Sequence, residues 1–116
     1  MAEFYPAIAA DELSSGEMTK VVIAGKEVLI ARQGEKFFAA DNRCPHLGGN
    51  LSKGHLDGHI VTCPLHKSQF NLGDGSVVRW TNFTGVALAV GKVIRKPQPL
   101  TTYPVKVEAG QVKVAL

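Results

Sequence analysis

The chain has 116 residues, with 13 Lys and Arg against 10 Asp and Glu and a net charge of +3. That length fits one domain over 1–116 with a modest core. Its 45% hydrophobic and 20% charged residues exclude a disordered chain. The basic residues are scattered, not clustered among aromatics, so a nucleic-acid partner is not expected. The longest apolar run, Val86 to Val90, falls far short of a bilayer span, so no membrane partner is expected either. The N-terminus shows no basic segment followed by an apolar one, and a cytoplasmic location is expected.

Short β-rich runs separated by turn residues fill most of the chain. Phe4 to Ile8 reads as an edge strand, because Pro6 cannot donate to a ladder. Asp11 to Gly16 reads as a turn or one helical turn. Thr19–Ala24 and Glu27–Arg32 are strand-like runs with a hairpin turn placed at Gly25-Lys26. Lys36–Asp41 follows as a third strand after Gly34. His55 and His59 bracket Leu56-Asp57-Gly58 and read as solvated turn histidines. His59–Thr62 leads into Cys63, and Ser76–Trp80 follows the turn at Gly73-Asp74-Gly75. Residues 83–99 fit neither strand nor loop cleanly. Tyr103–Glu108 and Gln111–Ala115 flank Ala109-Gly110 as a closing hairpin. Many short strands with no long helical period imply an all-β sandwich or small barrel.

The chemistry sits in two mixed pairs, Cys44-Pro45-His46 and Cys63-Pro64-Leu65-His66. They use both cysteines and two of the four histidines. A disulfide alone has no use for a histidine two or three residues away, and two metal-bound thiolates suit a reducing compartment. A C-x-H pair suits an irregular loop, which Pro45 and Leu47-Gly48-Gly49-Asn50 would make. Gly48 and Gly49 would let backbone N–H groups approach a negatively charged group. Two thiolates and two imidazoles are also the ligand count of a [2Fe–2S] centre in which histidines replace two cysteines on one iron. Two ferric ions, two sulfides, two thiolates and two neutral imidazoles sum to zero charge. An all-thiolate cluster is two units more negative and harder to reduce.

The segment CPHLGGNLSKGHLDGHIVTCPLHKSQFNLGDG, residues 44–75, closely resembles the cluster-binding region of Rieske-type ferredoxins, the electron carriers of bacterial ring-hydroxylating dioxygenase systems. The resemblance implies an antiparallel sandwich of three small sheets with a cluster-binding tip of two loops. It implies Cys44 and Cys63 on the inner iron, His46 and His66 on the outer iron, and one cluster per chain. It places Ser68 where a serine hydrogen-bonds a cluster sulfur, and Phe70 where respiratory Rieske proteins carry a tyrosine. It places Lys96-Pro97-Gln98-Pro99 in a third loop over the cluster. The respiratory proteins add a disulfide between their loops; here Leu65 occupies one such position and there is no third cysteine. Fewer hydrogen bonds to sulfur imply a potential low in the Rieske range of about −150 to +300 mV. The implied partners are a flavin-dependent reductase and a terminal oxygenase, and the chain itself is expected not to be an enzyme.

Two other readings use the same residues. One is a Rieske-like small subunit of a nitrite reductase, although such subunits can lack the ligands and this chain has all four. The other is a zinc-binding interaction module, since zinc also accepts two cysteines and two histidines. Zinc motifs usually pair like with like, which these mixed pairs do not. Arg43, Lys53 and Lys67 lie in or beside the two loops. They read as ordinary solubilising charge or as a basic rim favouring an acidic partner.

Overall fold

The computed structural model describes residues 3–44, 50–64, 67–79 and 99–116. Eleven strands form three antiparallel sheets among these residues. The first sheet orders β2 (Met18–Ile23), β3 (Lys26–Gln33), β4 (Lys36–Asp41) and β9 (Thr102–Tyr103). The second orders β1 (Phe4–Ala9), β11 (Gln111–Ala115) and β10 (Val105–Glu108). The third orders β5 (His55–Asp57), β6 (Ile60–Thr62), β7 (Gln69–Asn71) and β8 (Val77–Arg79). The expected three-sheet all-β architecture is what the chain adopts. Among the described residues helix is confined to two 3-10 turns, Ala10–Glu12 and Leu51–Lys53. Among the described residues no helix is long and apolar enough to cross a membrane.

Strand β3 explains how one short chain supports two cores. Val28, Leu29, Ile30 and Ala31 are all fully buried. Side chains alternate across a strand, so a run buried on both faces reads as continuously apolar. Leu29 and Ala31 pack with Leu51, Val61, Phe70, Leu72 and Leu100 beneath the third sheet. Val28 and Ile30 face the other way, onto Leu13, Ile23, Val112 and Val114 beneath the second sheet. Strand β4 repeats the division, with Ala40 in the first core and Ala39 in the second. Each fully buried Leu, Ile or Val contributes about 1.5–3 kcal/mol.

Several boundaries differ from the sequence reading. The β2–β3 turn is Ala24-Gly25, one residue earlier than expected. Both residues have positive φ, 50° and 79°, and Ile23 pairs with Lys26. A two-residue turn with two left-handed residues matches strand twist, so Lys26 becomes the first residue of β3. Ala109-Gly110, with φ of 53° and 75°, closes the final hairpin in the same way. Tyr103–Glu108 is not one strand. Pro104 has no N–H for a ladder, and the chain changes sheets there. Thr102-Tyr103 pairs with β4, while Val105–Glu108 pairs with β11. His55 belongs to β5, and the turn is Gly58-His59. Both histidines are exposed, as expected, but the His59 ring also packs against Phe38, with centroids 4.8 Å apart and the planes tilted by 53°. The strand expected at Ser76–Trp80 is Val77–Arg79. Trp80 and most of the ambiguous stretch 83–99 lie outside the described residues.

Candidate metal centre

Two connections carry the mixed pairs. The first leaves β4 at Asp41 and returns through Asn50 into the 3-10 turn Leu51–Lys53. The second joins β6 to β7 and contains residues 63–68.

The neck of the first connection is closed by hydrogen bonds. Arg43 and Asn50 form an isolated antiparallel bridge. Leu51 N–H donates to the Asn42 carbonyl at 2.8 Å. The Asn42 side chain accepts from Ser52 N–H at 3.0 Å and donates from Nδ2 to Asn50 Oδ1 at 2.9 Å. Cys44 is only 3% exposed. The second connection is tighter. Cys63 N–H donates to the Ser68 carbonyl at 2.8 Å, and Lys67 N–H donates back to the Cys63 carbonyl at 3.2 Å. Lys67 takes a left-handed φ of 61° to make this return. Cys63 is 2% exposed and Ser68 fully buried.

The two connections touch through Gly54 and Thr62. A Cβ built on Gly54 would overlap the Thr62 carbonyl oxygen, so only glycine lets the first connection lie against the residue before Cys63. A third segment arrives at Leu100, which is buried in the same core. Leu100 N–H donates to the Gly75 carbonyl at 2.8 Å. Gly75 has a φ of +80°, and its own Cβ would overlap the Leu100 carbonyl. The turn before it is fixed by Asp74, whose Oδ1 accepts from Ser76 N–H at 2.9 Å. That bond holds the exposed Asp74 carboxyl below its ordinary range.

Of the five expected site residues, the structure places Cys44, Cys63 and Ser68. Both cysteines belong to one cluster of buried side chains with Leu51, Val61, Phe70, Leu72 and Leu100. No disulfide joins them. His46 and His66 lie outside the described residues, as do Gly48, Gly49 and residues 96–98 of the expected third loop. Among the described residues, no three His, Cys, Asp or Glu side chains gather as a metal-binding group. Arg43, Lys53 and Lys67 are all exposed. Sequence reasoning missed Asn42 and Gly54, and took Gly75 only as a turn residue. Only the position of Asn42 two residues before a cysteine hinted at a role.

Two buried thiols, delivered by separate loops into one apolar pocket without a cross-link, fit an iron–sulfur cluster. Soft thiolates suit iron–sulfur sites, and an apolar surround limits solvent access. Comparison with known proteins agrees. Residues 3–104 match the model of the Rieske [2Fe-2S] domain. The ferredoxin component of a naphthalene 1,2-dioxygenase system from Pseudomonas aeruginosa is 32% identical over 110 residues, covering 95% of this chain and 92% of the relative. The ferredoxin subunit of a 3-phenylpropionate/cinnamic acid dioxygenase from Photorhabdus laumondii is 36% identical over 107 residues, covering 91% and 88%. Among solved structures, a chain in the complex of reduced oxygenase and oxidized ferredoxin in carbazole 1,9a-dioxygenase superposes with a TM-score of 0.77. It is 28% identical, with 97% of this chain and 92% of that one covered.

Proposed function

The chain belongs to the Rieske [2Fe–2S] domain family, and we propose that it is a ferredoxin holding one cluster on Cys44, His46, Cys63 and His66. It carries electrons singly from a flavin-dependent reductase to a terminal oxygenase and catalyses no reaction of its own. Its working compartment is the cytoplasm, where both thiols stay reduced. The observation that carries this reading is the convergence of Cys44 and Cys63, from two loops, in one buried cluster without a disulfide.

When bound, the cluster accepts and releases one electron. The chain's residues supply the setting. Cys44 and Cys63 provide anionic sulfur from inside the core. Phe70, Leu51, Leu72 and Leu100 keep water from that inner side. Ser68, fully buried beside the second loop, offers a hydroxyl for a sulfur. His46 and His66 would supply the cluster's neutral nitrogen ligands. Arg43, Lys53 and Lys67 stand exposed around the loops and favour an acidic face on the partner, speeding encounter. The ferredoxin names of the relatives favour this reading over a nitrite-reductase subunit.

Visible absorption and low-temperature EPR of the purified protein, before and after dithionite, test it. A red-brown protein whose reduced form gives a rhombic signal, with average g below that of all-cysteine ferredoxins, is the expected result. A colourless, EPR-silent protein with stoichiometric zinc would replace it with a zinc-binding interaction module.

A further inference from the structure

Among the described residues only two buried side chains are polar, Ser68 and Asn42. Ser68 belongs to the site already described. Asn42 was chosen by neither motif nor resemblance, yet both its main chain and its side chain make directed contacts. Its main-chain N–H donates to the Glu27 carbonyl at 3.2 Å, and its carbonyl accepts from Leu51 N–H at 2.8 Å. Its Oδ1 accepts from Ser52 N–H at 3.0 Å. Its Nδ2 donates to Asn50 Oδ1 at 2.9 Å and to Glu27 Oε1 at 3.4 Å.

These bonds join three places. Glu27 is the second residue of β3, one of the two inner strands of the first sheet. Asn50, Leu51 and Ser52 form the exit of the first loop. Asn42 itself is the entrance, two residues before Cys44. Both ends of the loop are therefore pinned to each other and to the sheet through one residue, by two bonds of its main chain and three of its side-chain amide. The chemistry needs an amide. One end must donate, because Asn50 Oδ1 and Glu27 Oε1 are both acceptors. The other must accept from Ser52 N–H. An aspartate keeps the shape but turns an oxygen toward two acceptors. An alanine takes the acceptor from the half-buried Ser52 N–H and the donor from Asn50 Oδ1 and Glu27 Oε1, and so unties the loop exit from its entrance.

We infer that Asn42 is a positioning residue for the bound cluster: its amide sets the neck of the loop bearing Cys44 and His46, and so the geometry those ligands impose. This rests on the ligand assignment proposed above. Groups that orient metal ligands without touching the metal typically change affinity about 10- to 100-fold when lost.

The test uses the full-length holoprotein with Asn42→Asp, Asn42→Ala and Asn50→Ala, and Val112→Ala as a stability control. Val112 is fully buried in the second core, away from both cysteines. Three quantities are read: the reduced-state g-values and their widths, the midpoint potential, and the rate of bleaching by a strong iron chelator. Both Asn42 variants should bleach about 10- to 100-fold faster, with broadened or displaced g-values and a shifted potential. Asn50→Ala should change the same readouts less and carries the test if Asn42→Ala fails to accumulate. Val112→Ala should melt earlier with unchanged g-values. If wild type shows the mixed-ligand spectrum and the Asn42 variants keep its g-values, potential and bleaching rate, Asn42 is only structural. If wild type lacks that spectrum, the ligand assignment fails first and this inference falls with it.

Discussion

Gly54 packs its α-carbon against the carbonyl of Thr62 so closely that the methyl of an alanine would overlap the carbonyl oxygen. The contact sets how near the exit of the first loop comes to the residue preceding Cys63. Its φ of −86° is open to any residue, so space alone demands glycine. Overpacking a core typically destabilises by 1–3 kcal/mol, and here the obstacle is backbone and cannot rotate away. Gly54→Ala should destabilise the protein by about 3 kcal/mol and reduce iron content per chain. Denaturant melts with iron analysis check this; wild-type stability and full iron would show that the loops can separate freely.

His66→Cys tests the ligand set through charge. Replacing a neutral imidazole by a thiolate makes the cluster one unit more negative. The midpoint potential should fall toward the value of about −400 mV typical of all-cysteine ferredoxins. Protein-film voltammetry reads it directly. An unchanged potential with the cluster retained would place His66 outside the ligand set.

Phe70 is fully buried in β7 and belongs to the same core as both cysteines, so a hydroxyl introduced there enters that core. The wild-type potential should lie below about +150 mV, low in the Rieske range. Phe70→Tyr should raise it, because a hydrogen bond to sulfur stabilises the more negative, reduced state. A fall in potential, or a wild-type value above that limit, would contradict the argument.

Tyr103 donates its hydroxyl to Asp41 Oδ1, from β9 to the end of β4. Burial, and then the neighbouring Asp41 carboxylate, push the phenol well above its ordinary value near 10. A raised folded value means the group supports the fold below about pH 10 and works against it above, as unfolded chains lose the proton first. Stability should therefore decline from about pH 10 upward, and Tyr103→Phe should flatten that decline. Phenolate absorbance at 295 nm, recorded with a stability titration, checks it. An identical alkaline profile in the variant would remove Tyr103 as the cause.

What was legible in the chain follows the range of each interaction. Strands β3 and β4 were visible because short apolar runs, with β-branched residues in one and aromatic residues in the other, beside glycine turns are local signals. The two mixed pairs that contain Cys44 and Cys63 were visible because their spacing is local too, whereas Ser68 was singled out by resemblance alone. The break at Pro104 was readable in principle, yet which sheet each half joins depends on partners far along the chain. The Ala24-Gly25 turn was misplaced by one residue because an alanine at positive φ goes against its own preference. Asn42, Gly54 and the contact of the turn residue Gly75 were silent for a different reason. Each matters through a partner brought near only by folding: Glu27, Thr62 and Leu100.

The alternation along β3 makes that strand a partition. Leu29 and Ala31 belong to the compartment of the cysteines, and Val28 and Ile30 to that of the closing hairpin. Side chains one position apart therefore answer to different neighbours. Repacking the hairpin side through Val28, Ile30, Val112 and Val114 is insulated from the redox end, whereas the smallest change at Leu29 is not. A family using this arrangement can diversify one compartment while the other stays tuned for electron transfer.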